Sequence, residues 1–362
     1  MLKTLNKLSS SQQIYLNFLR GISAIVVLCG HTFPAIPGEF TFGKTLPFQS
    51  LAVGVFFWLS GFLIAYHCLT KQDYSFKNYI LDRFCRIYVI YIPVVACSVV
   101  LMIKVHLIRI PTNADILANL FMLQHTPFDR IFDNLSRFPP LAGISPLWSI
   151  AVEWWLYVFF GIVFFFHKSS SSSKLLMAVL SVPAVLVVSY FALREYVALT
   201  WFLGAACAYH FCNLSPNYYN KRIDLLIFVS LAAFLYRLNY LNNTVMNMYD
   251  MQMVIPGCIF LYSALLRLST YTFHFSFKVL STSLGFISYS LYLSHEPMKQ
   301  VLQLYIPLDS WRNGIMVAMI CILIASICAY FLENKHLIVR RWLKDKLFSD
   351  ETPKIPLYSP AN

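Results

Sequence analysis

The sequence predicts an all-α, polytopic membrane bundle of about ten transmembrane helices with both termini cytoplasmic, and three observations carry the prediction. Of 362 residues, 58% are hydrophobic and only 12% charged, more apolar surface than a soluble core of this size can hide. The apolar residues gather into runs of about 18 to 24, the length that crosses the hydrocarbon layer of a bilayer. The charges cluster between those runs, with the cations biased to one side.

In chain order, the runs lie at 14–35, 49–69, 86–104, 146–167, 174–192, 194–212, 222–239, 250–268, 284–304 and 312–333. The first is expected to stay as a helix: it starts too far in, and no convincing small-residue cleavage site follows it, for a removable signal. A weaker run at 115–125 (DILANLFMLQH) is too short to cross and reads as a re-entrant or interfacial segment within a long loop. With the N-terminus inside, eighteen of the 28 Lys and Arg fall on the cytoplasmic side, as the positive-inside rule requires. The same pattern excludes nucleic acid as the reason for a net charge of +12, because the cations flank spans instead of forming a basic face with stacking aromatics.

Between the runs, Ser169–Ser173 reads as a cytoplasmic linker, and two outer loops, 36–48 and 105–145, exceed what a connection needs. The tail from Glu351, with three prolines, reads as disordered. The expected division is a cytoplasmic segment 1–13, a transmembrane unit 14–335 and a basic, Pro-containing cytoplasmic tail 336–362. Nine cysteines, mostly inside spans and without CxxC pairs or matching histidines, read as packing residues, neither a disulfide framework nor a metal site. No internal repeat is evident, which argues against a transporter of inverted repeats.

Ionisable groups at membrane depth are costly and so mark function. Arg20 and His31 are eleven residues apart in the first run. At about 100° per residue, this is about 20° from three full turns, so they share a face, about 16 Å apart along the axis. Glu153 lies about 10 Å into a run that enters from the outer side, a depth comparable to that of His31, where a carboxylate could orient and charge-stabilise an imidazole base. The bland alternatives are a snorkelling Arg20, an interfacial His31 and a structural Glu153. His295, before Glu296 and Pro297, sits at a polar kink that suits a site wall, or else makes buried helix-to-helix hydrogen bonds. Arg83 and Arg86 share a face at a cytoplasmic helix entrance; they could clamp phosphates, or simply anchor the helix.

Taken together, these residues resemble the acyltransferase-3 family: Arg20 and His31, then Gly54-Val55-Phe56-Phe57-Trp58-Leu59-Ser60-Gly61-Phe62-Leu63-Ile64, Arg83-x-x-Arg86, Leu147-Trp148-Ser149 leading to Glu153, Ser288-Tyr289-Ser290-Leu291-Tyr292-Leu293 before His295, and Glu333. The resemblance covers about residues 14–335. It departs where the family often has a second acid and a glutamine, here Trp154 and Trp155, and where Val89 follows Tyr88 in place of a common proline.

The resemblance implies a membrane-bound O-acyltransferase that takes an acyl group, usually from acetyl-CoA, to a cell-envelope saccharide in the bacterial inner membrane, with no permanently bound cofactor. His31, Arg20 and Glu153 are then the expected catalytic residues, and Arg83 and Arg86 the donor-binding pair. Trp148, Ser149, Tyr289, Tyr292 and His295 are expected to line the pocket. His31 could act as general base or as acyl carrier. A transporter using Arg20, His31 and Glu153 as a proton or substrate path is the competing reading.

Overall fold

The computed structural model describes residues 5–33, 48–124, 126–127, 140–193, 196–215, 221–241 and 250–347. The outer loop 36–48 lies outside the described residues except for Phe48, as do 128–139 of the second outer loop and the tail from Glu351. Among the described residues there is no strand.

The helices are α1 (Ser10–Thr32), α2 (Phe48–Thr70), α3 (Phe76–Lys104), α4 (Asn113–Leu120), α5 (Leu147–Phe165) and α6 (Ser171–Leu193), followed by α7 (Val197–Asn213), α8 (Lys221–Leu241), α9 (Met251–Arg267), α10 (Phe275–Leu302), α11 (Trp311–Leu332) and α12 (Lys335–Leu347). Among the described residues, seven helical stretches are long and apolar enough to cross a membrane. Their outward faces carry large apolar side chains, such as Val163, Val179 and Leu323, that only lipid would cover. These features make the chain an integral membrane protein. Each of the ten predicted runs overlaps a helix, but α7, α8 and α10 fall outside the seven, being shorter or more polar.

Helix starts follow from local chemistry. Ser9 caps α1 in a reciprocal box with Gln12, Ser75 caps α3 and Thr112 with Asp115 closes the same box on α4. The short α4 does not cross. Its carbonyls at Asn119 and Leu120 accept hydrogen bonds from Tyr91 and Tyr88 of α3 (3.2 and 2.7 Å), and the Trp155 indole donates to Met122 O at 2.9 Å. Side chains thus satisfy irregular backbone beside membrane helices, which is the condition for its presence there.

Small residues set the closest helix crossings. A Cβ on Gly61 of α2 would stand 1.9 Å from the Trp201 carbonyl of α7, and one on Gly204 would stand 2.1 Å from the Trp58 carbonyl. These glycines let the two backbones touch. Gly21 and Gly285 do the same for α1 against α10. Between these two tight pairs, α1, α2, α3, α5 and α10 enclose the polar interior.

Candidate functional site

Two neighbouring cavities occupy that interior. The first, about 150 Å³, is lined by Arg20, Arg83, Arg86, Glu153, Tyr157 and Tyr289 among others. The second, about 190 Å³, is lined by His31, Gln49, Ser145, Pro146 and Trp148. Val53 and Tyr292 line both, so they form the partition between them. Tyr292 is buried and shares a 2.6 Å hydrogen bond with the Ser149 hydroxyl, while its ring meets Phe56 edge-on at 5.6 Å.

In the arginine cavity, Arg20 lies within electrostatic reach of Glu153, Glu333, Tyr157 and Arg86. Arg86 is anchored: its guanidinium donates to Glu333 at 3.0 Å, and the other oxygen of Glu333 accepts from Ser290 at 3.1 Å. Arg83 faces the rings of Tyr79 and Tyr157, each at 5.9 Å. Its Nε is buried with no hydrogen-bond partner among the described residues. A buried donor of that kind calls for an anionic or acceptor ligand. The i, i+3 spacing places both arginines of α3 on this one cavity.

Glu153 ends a directed chain of hydrogen bonds. The Trp201 indole N–H can only donate, here to Ser60 Oγ at 3.1 Å; Ser60 and Tyr157 are 2.9 Å apart; Tyr157 Oη stands 2.5 Å from Glu153 Oε1. A carboxylate at the end of such a chain accepts, so the order runs from indole through both hydroxyls to Glu153. Ser60 stood in the family stretch of α2 without a role, and Tyr157 and Trp201 escaped the sequence reading, although Tyr157 stands at i+4 from Glu153, the spacing that lets two helical side chains meet.

The expected contact between Glu153 and His31 is not made. Glu153 is held by Tyr157 one turn further along α5, in the arginine cavity. The charges that reach His31 come from Glu296 and Lys299 of α10. His31 Nδ1 lies 3.6 Å from Glu296 Oε2, and its ring centroid lies 5.3 Å from that of His295. His295 is buried, with Nδ1 donating to Leu291 O at 3.0 Å and Nε2 without a partner among the described residues. It lines neither cavity and packs behind His31.

The stretch Ser290–Pro297 is buried throughout although four of its eight side chains are polar. Glu296 accepts from Lys299 Nζ at 2.8 and 2.9 Å and from Gln300 Nε2 at 2.9 Å. His31, His295 and Glu296 bring their ligating atoms within 4.8 Å of one another, a spacing that could hold a cation. The ammonium of Lys299 already occupies both oxygens of the acid, so the cluster is built as a hydrogen-bonded group.

Of the residues the sequence singled out, Arg20, Arg83, Arg86, Glu153, Ser149 and Tyr289 meet at the first cavity, and His31 and Trp148 at the second. Tyr292 joins the two, and His295 supports the second from behind. Residues 13–333 match the acyltransferase-3 family model, which describes an acyltransferase domain. No curated protein and no solved structure matches the chain.

Proposed function

The chain belongs to the acyltransferase-3 family, and on that premise we propose that it moves an acyl group, acetyl from acetyl-CoA, onto a hydroxyl of a cell-surface saccharide such as lipopolysaccharide O-antigen, capsule or exopolysaccharide. In this reading the unit 14–335 spans a bacterial inner membrane ten times, with both termini cytoplasmic. The arginine cavity faces the cytoplasm and the His31 cavity the outside.

One observation supports the reading above the rest: three arginines and a histidine line two cavities that share only a thin wall, at Val53 and Tyr292. An anionic donor fits the first, and Arg83 Nε offers it an unused donor. The second suits a hydroxylic acceptor, because the amide oxygen of Gln49, which lines it, is buried with no hydrogen-bond partner among the described residues and can accept from a sugar hydroxyl.

In the reaction, His31 takes the proton of the acceptor hydroxyl while that oxygen attacks the thioester carbonyl. The carbon–sulfur bond breaks, the acyl ester forms and the thiolate leaves, to be protonated to the free thiol. Arg20 offers positive charge to the donor or to the oxyanion. In the carrier variant, His31 is itself acylated, then passes the group to the hydroxyl. Both variants need no cofactor beyond the acyl-CoA.

Mass spectrometry of envelope polysaccharide from cells with the wild-type protein, with His31→Ala or with neither tests the proposal. Acyl-sized increments are expected with wild type alone. Increments that persist in His31→Ala remove the histidine from either variant. Their absence from every glycan fraction, with folded protein present, overturns the saccharide acceptor.

A further inference from the structure

We infer that Glu296 positions His31 for the transfer, and that Glu153 serves the donor instead; the assignment rests on the proposed acyl transfer and deepens it.

The geometry separates the two acids. Glu296 lies 3.6 Å from His31 Nδ1, whereas Glu153 is spoken for by Tyr157 in the other cavity. A separation of 3.6 Å is longer than a hydrogen bond, and catalytic contacts of this kind tighten when substrate fills the site. The carboxylate is well placed to wait for that. Lys299 at i+3 and Gln300 at i+4 stand on its own helix face and fix its rotamer through three hydrogen bonds. Gln300 also reaches Gly143 O at 3.3 Å, which ties the group to the segment that leads into Ser145 and Pro146 of the cavity wall.

Charge supports the same role. Lys299 already meets the charge of Glu296, so the carboxylate can orient the imidazole without holding it permanently as an imidazolium. With Nδ1–H turned to Glu296, the lone pair of His31 Nε2 is left for the acceptor hydroxyl. His295 cannot compete as a donor to that acid, because its Nδ1–H is committed to Leu291 O. Its role is to fill the space behind His31.

The test separates the two carboxylates in the full-length protein. Glu296→Gln keeps shape and an acceptor for Lys299, and it should lower acyl incorporation into envelope polysaccharide at least tenfold. The purified variant should bind acetyl-CoA with the wild-type Kd. Glu153→Gln should do the reverse and weaken acetyl-CoA binding severalfold. If Glu296→Gln is recovered poorly, Glu296→Asp keeps the charge one methylene further away and should also reduce incorporation at unchanged donor affinity. Wild-type incorporation in both Glu296 variants, or an equal loss of acetyl-CoA binding in either, overturns the assignment. A wild-type protein that neither binds acetyl-CoA nor modifies any glycan overturns the acyl-transfer reading and the assignment with it.

Discussion

Replacing Gly61 with alanine should damage both the fold and the arginine cavity, and the structure sets the size of the effect. The new Cβ would lie 1.9 Å from the Trp201 carbonyl oxygen, about 1.5 Å short of the 3.4 Å at which ordinary contact begins. The obstacle is backbone and cannot rotate away, so α2 and α7 must part. Overpacking of this kind costs about 1–3 kcal/mol, and the rigid neighbour points to the upper end. Alanine returns about 1 kcal/mol of helix propensity, which leaves a net loss of about 2 kcal/mol. At the unfolding entropy of soluble domains, about 2.1 cal/mol/K per residue, a chain of 362 residues loses roughly 2–3 °C of melting midpoint.

The same movement pulls the Trp201 indole from Ser60, a 3.1 Å contact, and so loosens the chain that ends on Glu153. Acetyl-CoA binding should weaken alongside stability. Gly257→Ala is the control, since there the Cβ would meet only the edge of the Phe234 ring at 3.3 Å, a side chain free to yield. Thermal melting of the detergent-purified protein, followed by tryptophan fluorescence, reads the difference. Equal midpoints for Gly61→Ala and Gly257→Ala would refute the argument that a backbone contact governs this crossing.

Arg86→Met strands Glu333, whose side chain is 3% exposed, and should lower stability by about 2 kcal/mol, below the usual cost of a broken buried pair because Arg86 is itself partly exposed; adding Glu333→Gln should recover part of the lost midpoint. Asp82 accepts from Tyr74 at 2.7 Å, and from Arg340 of α12, so Asp82→Asn should loosen α12 and speed trypsin cleavage at Arg340 and Arg341. Tyr292→Phe gives up the bond to Ser149, worth about 1 kcal/mol, and should keep most incorporation. Tyr292→Trp should thicken the partition and stop incorporation while acetyl-CoA still binds.

The helical class and the places of most helices were legible because apolar run length and charge placement are local properties of the chain. The pairing of Arg20 with Glu153, Arg83 and Arg86 around one cavity was legible in part, since helical phase fixes which residues share a face of one helix. Phase says nothing about which neighbouring helix that face meets. Depth along the helix made Glu153 a plausible partner for His31, but depth is one coordinate of three. Rotation of α5 turns Glu153, with Tyr157 one turn along the same face, to the arginines, while the close crossing of α1 with α10 through Gly21 and Gly285 brings Glu296 to His31.

The chain by itself determined that this protein lives in a membrane, that its polar residues at depth are few, and that those few resemble an acyltransferase. Only the tertiary structure decided which acid faces which base, that the arginines and His31 line separate cavities, and that Tyr292 stands between them. The physical reason is that composition and period specify each helix against lipid one at a time, whereas partner choice depends on the packing of small residues between helices, a property of pairs that no single stretch of sequence contains.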